Sequence, residues 1–335
     1  MATYKEIRGT HVLSVTSDPP SPVNGQMWYN STDKVVKGFT SSPVGSWASD
    51  ANMNTARRYP SGAGTNTAAL AYGGTPNSDI LVANTESYNG TSWTEVNDLN
   101  TARYQADGLG VVYTAALMAG GYKGPPGSPS TYTAAETENW NGTSWTEVNN
   151  LSQAKRSNGM AGTNTAGLLF GGVTAPPTTT LAENESWNGT SWTEIANTNN
   201  AQGYGGAAGQ SNQNALKFGG SGGPTGFSAF TELWNGSSWT EVNNLTTGRY
   251  ILAAAGTDST SALAFGGDTP PVTGKTEDWN GASWSEVADM STARKDLAGS
   301  GVITSALAST GTTGSLTTAT EEWSGSSTTI KVLTD

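Results

Sequence analysis

Apolar residues along this chain come in runs of four or five, cut by Gly, Asn and Thr, and the same order of runs recurs. After Arg57 one period reads as a small-residue run, Gly62-Ala63-Gly64, then Thr65-Asn66-Thr67, then the apolar run Ala68 to Tyr72 closing on Gly73-Gly74. A variable stretch leads to a third run ending at Tyr88. Asn89-Gly90 follows, then Ser92-Trp93-Thr94-Glu95-Val96. Short β-rich runs bounded by turn residues predict four strands, and Asn-Gly predicts a tight hairpin because both positions tolerate positive φ.

The unit Trp-Asn-Gly-Thr-Ser-Trp-Thr-Glu-Val or a close variant starts at Tyr88, Trp140, Trp187, Trp234 and Trp279, with a decayed copy at Trp323 that has Thr328 in place of its second Trp. Starts lie 44 to 52 residues apart. Gly-Gly recurs at Gly73, Gly120, Gly171, Gly219 and Gly266, and a Thr-Ala-Arg-like marker ends at Arg57, Arg103, Arg156, Arg249 and Arg294. Eleven of twelve tryptophans fall on these markers, Trp28 being the exception, so the period is structural. Four strands per period of this length predict an all-β chain folded as a β-propeller, with small residues at the crowded axis and Trp in the widening outer wedge. One propeller domain over residues 1–335 is expected, with six repeats in 57–335. Residues 1–56 end in Ser46-Trp47 and Asn54-Thr55-Ala56-Arg57, the phase of a fourth strand running into the Arg marker. That spacing favours a seventh, degenerate blade; the alternative is six blades, with Trp47 lending a strand to the last and an N-terminal extension before it.

The order Gly-Gly, aromatic, Trp, as in Gly73-Gly74, Tyr88 and Trp93, resembles the kelch repeat across residues 57–327. That resemblance implies the propeller fold and no particular activity. The segment Asp18-Pro19-Pro20-Ser21-Pro22-Val23-Asn24-Gly25-Gln26-Met27-Trp28-Tyr29-Asn30-Ser31-Thr32 is similar to one near the start of bacteriophage tail-fibre and related virion proteins. It implies a virion component, made in the host cytoplasm.

Composition narrows the classes. Charged residues are 13% of the chain and the net charge is −11, which argues against nucleic-acid and anionic-membrane partners. No run of about 18 apolar residues is present to insert into a membrane, and Met1 to Arg8 lacks a secretory apolar core. The absence of cysteine removes disulfides, thiolate nucleophiles and Cys-ligated metals. The single histidine, His11, cannot build a histidine metal site and reads as structural. Kelch-type copper oxidases need Cys and more His, and sialidase propellers carry a different turn sequence, so neither resemblance extends here. No catalytic residue, metal or cofactor is expected.

Two sets of carboxylates repeat: Glu86, Glu138, Glu185, Glu232, Glu277 and Glu322 before the third-run aromatic, and Glu95, Glu147, Glu194, Glu241 and Glu286 after the second Trp. Catalysis needs one special site, whereas these occur in nearly every period. The first set is expected to pair with the repeated Arg between blades, with Glu138 and Glu232 costing stability alike when changed, and the second set to lie exposed. The Asn-x-Ser/Thr sequences at Asn30, Asn89, Asn141, Asn188 and Asn235 read as turns rather than glycosylation sites. Variation concentrates in the second-to-third loops, Thr75 to Asn84, Tyr122 to Ala134, Val173 to Leu181, Ser221 to Ala229 and Asp268 to Lys275. Variable loops on a rigid scaffold are where binding sites are placed. Tyr122, Tyr132 and Phe227 are candidates to stack on a sugar face, with Lys123 beside them. The expected function is a non-enzymatic phage virion protein, tail fibre-like, whose loop face binds a host-surface glycan or protein. The alternatives are a structural tail or capsid-decoration module touching only other virion proteins, and a glycan hydrolase.

Overall fold

The computed structural model describes residues 12–20, 22, 25–42, 45–76, 80–124, 132–174, 179–222, 226–325 and 327–333. His11, Pro125, Pro126, Pro129, Pro176 and Pro177 lie outside the described residues. The chain forms two compact units, Ser46–Ser324 and the segments Met1–Gly45 with Gly325–Asp335.

The larger unit is a β-propeller of four-stranded antiparallel sheets. Blade I is Ser61–Thr65, Ala68–Tyr72, Thr85–Tyr88 and Trp93–Val96. Blade II is Asp107–Val112, Ala115–Ala119, Thr137–Trp140 and Trp145–Val148. Blade III is Gly159–Thr163, Ala166–Phe170, Asn184–Trp187 and Trp192–Ile195, and blade IV is Gly206–Ser211, Asn214–Phe218, Thr231–Trp234 and Trp239–Val242. Blade V is Ala253–Asp258, Ser261–Phe265, Thr276–Trp279 and Trp284–Glu286. Blade VI takes Ala298–Val302, Ser305–Ser309 and Thr320–Ser324 from the chain's end and its outermost strand, Ser46–Asp50, from near its start.

The innermost strands pack in sequence around the axis, and that of blade VI packs against that of blade I, so the ring closes on these six sheets. This corrects the seventh blade. Trp47 sits opposite Trp323, with ring centroids 5.5 Å apart, and replaces the tryptophan that Thr328 lacks. Residues before Ser46 instead form their own sheet, Leu13–Val15, Met27–Asn30, Val35–Ser42 and Ser327–Val332. There Trp28 is buried. The Asp18 carboxylate accepts hydrogen bonds from Lys37 Nζ at 2.9 Å, Asn30 Nδ2 at 2.9 Å and Trp28 Nε1 at 3.0 Å. Those donors, Lys37 first, hold its carboxyl down at about 2.

Packing between blades follows from size. A Cβ on Gly62 would lie 2.4 Å from the carbonyl oxygen of Gly299 on the neighbouring blade, so the axis admits no side chain there. Outward, each blade stacks its third-strand aromatic on its fourth-strand Trp at 5.1–5.5 Å. Four of the fourth-strand tryptophans donate Nε1–H to a Thr hydroxyl on the preceding blade at 3.0 Å: Trp145 to Thr85, Trp192 to Thr137, Trp284 to Thr231 and Trp47 to Thr276. The second glycine of each Gly-Gly, with its counterpart Gly311, donates its N–H to the next blade: Gly74 to Arg103, Gly121 to Lys155, Gly172 to Gln202, Gly220 to Arg249, Gly267 to Arg294 and Gly311 to Arg57, at 2.9–3.0 Å.

The repeated glutamates explain the connectors. Glu138 accepts from the backbone N–H of Asn100 (2.7 Å) and Thr101 (3.4 Å) and from Arg103 Nη2 (3.0 Å), with both Arg103 and Glu138 buried. Equivalent buried pairs are Arg57–Glu86, Lys155–Glu185, Lys217–Glu232, Arg249–Glu277 and Arg294–Glu321. Each pairing lies within a blade, not between blades as expected. Two positions shift from the sequence alignment: Lys155, not Arg156, is the buried cation of blade III, and Glu321, not Glu322, is the buried acid of blade VI. In blade IV, Gln202 stands where a cation would, and Lys217 of the second strand substitutes.

Glu138→Gln should cost about 3–5 kcal/mol in urea unfolding, because it strands a buried guanidinium that cannot shed its proton. Glu232→Gln should cost less, correcting the expectation of equal cost. Burial, against the opposing pull of Glu232, already brings Lys217 down to about 8, so the stranded lysine can go neutral. Glu147→Gln, on an exposed outer strand, should stay within about 0.5 kcal/mol. Equal losses at Glu138 and Glu147 would contradict this assignment.

Candidate ligand site at the axial mouth

Two residues after each buried cation position, the chain adopts a left-handed conformation just before the innermost strand. The six residues are Tyr59, Gln105, Ser157, Tyr204, Ile251 and Asp296, with φ of 50–61°. None is glycine, so the surroundings impose the conformation. Their backbones bond to one another around the axis. Tyr59 N donates to Asp296 O (2.9 Å), Asp296 N to Ile251 O (3.1 Å), Ile251 N to Tyr204 O (2.8 Å), Tyr204 N to Ser157 O (2.7 Å) and Ser157 N to Gln105 O (2.6 Å). This ring lies on the face of the second-to-third loops, since the residue before each member bridges to the residue after Gly-Gly or its blade VI counterpart, as Arg58 does to Thr75.

The six positions carry five kinds of side chain, Tyr occurring twice, whereas the residues that hold the blades together repeat. They surround a mouth cavity of about 90 Å³ that also meets Asn158, Leu252 and Leu297. Below it runs an axial channel of about 140 Å³ lined by the Gly- and Ala-rich innermost strands, with Asp107 as its single ionisable lining residue. Around the rim the side chains are linked. The Tyr59 hydroxyl interacts with the Asp296 carboxylate and the Gln105 side chain. Arg156 Nη1 donates to Gln105 Oε1 (2.6 Å) and to the Tyr204 hydroxyl (3.0 Å). Polar groups therefore span blades VI, I, II, III and IV, while Ile251 leaves blade V apolar.

Burial drives both carboxyls of the mouth upward. Asp296 rises to about 6, held back by Lys295, the Tyr59 hydroxyl and Arg58. Asp107 rises to about 7 although each oxygen accepts a backbone N–H, from Gly108 at 2.9 Å and Met160 at 2.8 Å.

The sequence candidates occupy less central places. Tyr122 is buried, pairs with Tyr104 and Thr133 through its backbone, and packs edge-on against Tyr104 at 5.4 Å. Its ring is thus wall rather than free stacking surface. Lys123 forms an ion pair with Glu136. Tyr132 is exposed, 6.5 Å from Tyr122. These three share the blade II loop, whereas half-buried Phe227 belongs to the blade IV loop. The axial residues escaped the sequence reading, which looked for repeated markers. The available signal was the opposite one: position two after the Arg marker differs from repeat to repeat.

No protein-family model matches the chain, and no curated protein matches it. A solved structure, "Structure of YjhT", is similar over 84% of this chain and 99% of its own, with TM-score 0.65 and 11% identity. At that identity the likeness shows the β-propeller fold alone.

Asp107 gives the site a pH signature. Its folded value lies above its unfolded one, so between about pH 4 and 7 the folded state binds more protons and loses stability as pH rises. Unfolding free energies of wild type minus Asp107→Asn should therefore fall across that window and level off above it, whatever constant offset the lost acceptor adds. A flat difference would show that Asp107 ionises normally.

Proposed function

We propose that this chain is a non-enzymatic, kelch-type propeller of a phage virion, tail fibre-like, that binds a host-surface glycan at the axial mouth of its loop face. The observation that carries this reading is the placement of variation. Residues that hold the blades together repeat, whereas Tyr59, Gln105, Ser157, Tyr204, Ile251 and Asp296 are of five kinds while sharing one backbone conformation and one cavity. Aromatic rings, an amide, hydroxyls and a carboxyl beside an apolar sector suit a sugar, which offers hydroxyls at its edge and C–H groups on its face. The virion assignment is supported by the tail-fibre-like segment Asp18 to Thr32, which has a specific internal logic in the Asp18 hub.

The non-enzymatic reading rests on Asp107 at the mouth. Asp107 accepts a backbone N–H on each of its oxygens, which ties both of them to the scaffold. A module contacting only other virion proteins would need no such blade-to-blade variation at the axis.

Purified protein applied to candidate host cells and a glycan array should bind saturably, competed by one sugar class. Gln105→Ala and Tyr204→Phe should weaken that binding about tenfold or more while leaving the melting temperature nearly unchanged. Absence of binding to any cell or glycan would favour the structural virion role.

A further inference from the structure

The propeller, Ser46–Ser324, carries eleven Lys and Arg side chains. Nine pair with a carboxylate: Arg57, Arg103, Lys123, Lys155, Lys217, Lys275, Arg249, Arg294 and Lys295. The remaining two, Arg58 and Arg156, form no ion pair among the described residues, although Arg58 lies near enough to Asp296 to draw its carboxyl down. They hold the same repeat position, one residue before the axial ring, on blades I and III. Tyr104 holds that position on blade II between them.

An aromatic strip joins the two arginines. The Arg58 guanidinium lies over Tyr59 at 5.6 Å, Tyr59 meets Tyr104 at 5.8 Å, Tyr104 meets Tyr122 at 5.4 Å, and Arg156 lies over Tyr122 at 5.8 Å. Tyr132 extends the strip to the exposed loop. In a chain of net charge −11, the propeller unit leaves only these two cations outside an ion pair among the described residues. Their placement, within the propeller, at two equivalent rim positions with aromatic rings between points to a ligand with negative charge and an apolar face.

We infer that the rim of blades I to III binds an acidic polysaccharide whose sugars bear carboxylates, with Arg58 and Arg156 each taking a carboxylate at its own end of the strip and the accessible rings of Tyr104 and Tyr132 taking a sugar's C–H face. This rests on the glycan-binding reading and names the ligand's class. Guanidinium matches a carboxylate bidentately, which gives direct contacts strong enough to act against the repulsion of the whole molecule. Arg156 is also a positioning residue, since it orients Gln105 and Tyr204; Arg58 makes no such bonds and is the cleaner probe.

The test is an array of uronate-containing oligosaccharides beside their carboxyl-reduced counterparts, probed with wild type, Arg58→Gln, Arg58→Lys and Arg156→Lys. The acid forms should bind, the reduced forms should bind about tenfold or more weakly, and Arg58→Gln should lose a similar factor on the acid forms only. Arg58→Lys should recover part of that loss, and added salt should weaken only the acid forms. Equal binding of acid and reduced forms, or an Arg58→Gln protein that binds the acid forms as wild type does, would overturn the inference. Binding confined to neutral glycans would overturn it while leaving glycan recognition intact; binding to no glycan would remove both.

Discussion

A buried carboxylate in each blade, facing a buried cation and the backbone of the incoming connector, is the interaction on which the rest of this molecule depends. Glu138 shows it most fully, accepting from Asn100, Thr101 and Arg103. The carboxylate fixes where the connector enters the blade. The carbonyl of the residue in the cation position then accepts from the previous blade's Gly-Gly, so one chain segment is pinned both within its blade and across the seam. Two residues later, with its neighbours held on both sides, the backbone is forced into the left-handed region at the axis. Taking these charges out of water is expensive, and the return is a set of fixed positions more than net stability.

That division explains why side-chain identity is repeated in one ring and free in the next. At the cation position the alternatives to Arg are Lys155, or Gln202 with Lys217 taking over the charge. At the axial position Tyr, Gln, Ser, Ile and Asp all occur, and backbone hydrogen bonds link successive members. A scaffold of this kind can change the surface it presents at the axis without changing its fold, because the side chains there do not hold the blades together.

The repeat, the strand limits and the turns were legible in the sequence because each is signalled locally. Gly-Gly reports positive φ, Asn-Gly a hairpin, and Ala68 to Tyr72 a buried strand; the structure places that strand at the same residues. Blade closure was legible only as the alternative reading, in which Trp47 lends a strand to the last repeat, because the pairing of Ser46–Asp50 with Thr320–Ser324 spans nearly the whole chain and local spacing fits a seventh blade as well. The single-residue offsets at Lys155 and Glu321 were hidden by neighbours of the same charge, Arg156 and Glu322. The loop face was identified as the variable one, but Tyr122 is drawn into the wall by its bridges to Tyr104 and Thr133, which only the assembled blades reveal.

The central claim is that repeated residues hold the propeller together while the non-repeated axial residues meet the ligand. Hydrogen exchange of the protein with and without an isolated host-surface polysaccharide to which it adsorbs tests this most directly. The account predicts added protection confined to the segments around residues 58–60, 104–106, 156–158, 203–205, 250–252 and 295–297, on the loop face. Protection on the opposite face, at the Asn-Gly turns such as Asn141-Gly142 and Asn188-Gly189, would contradict it.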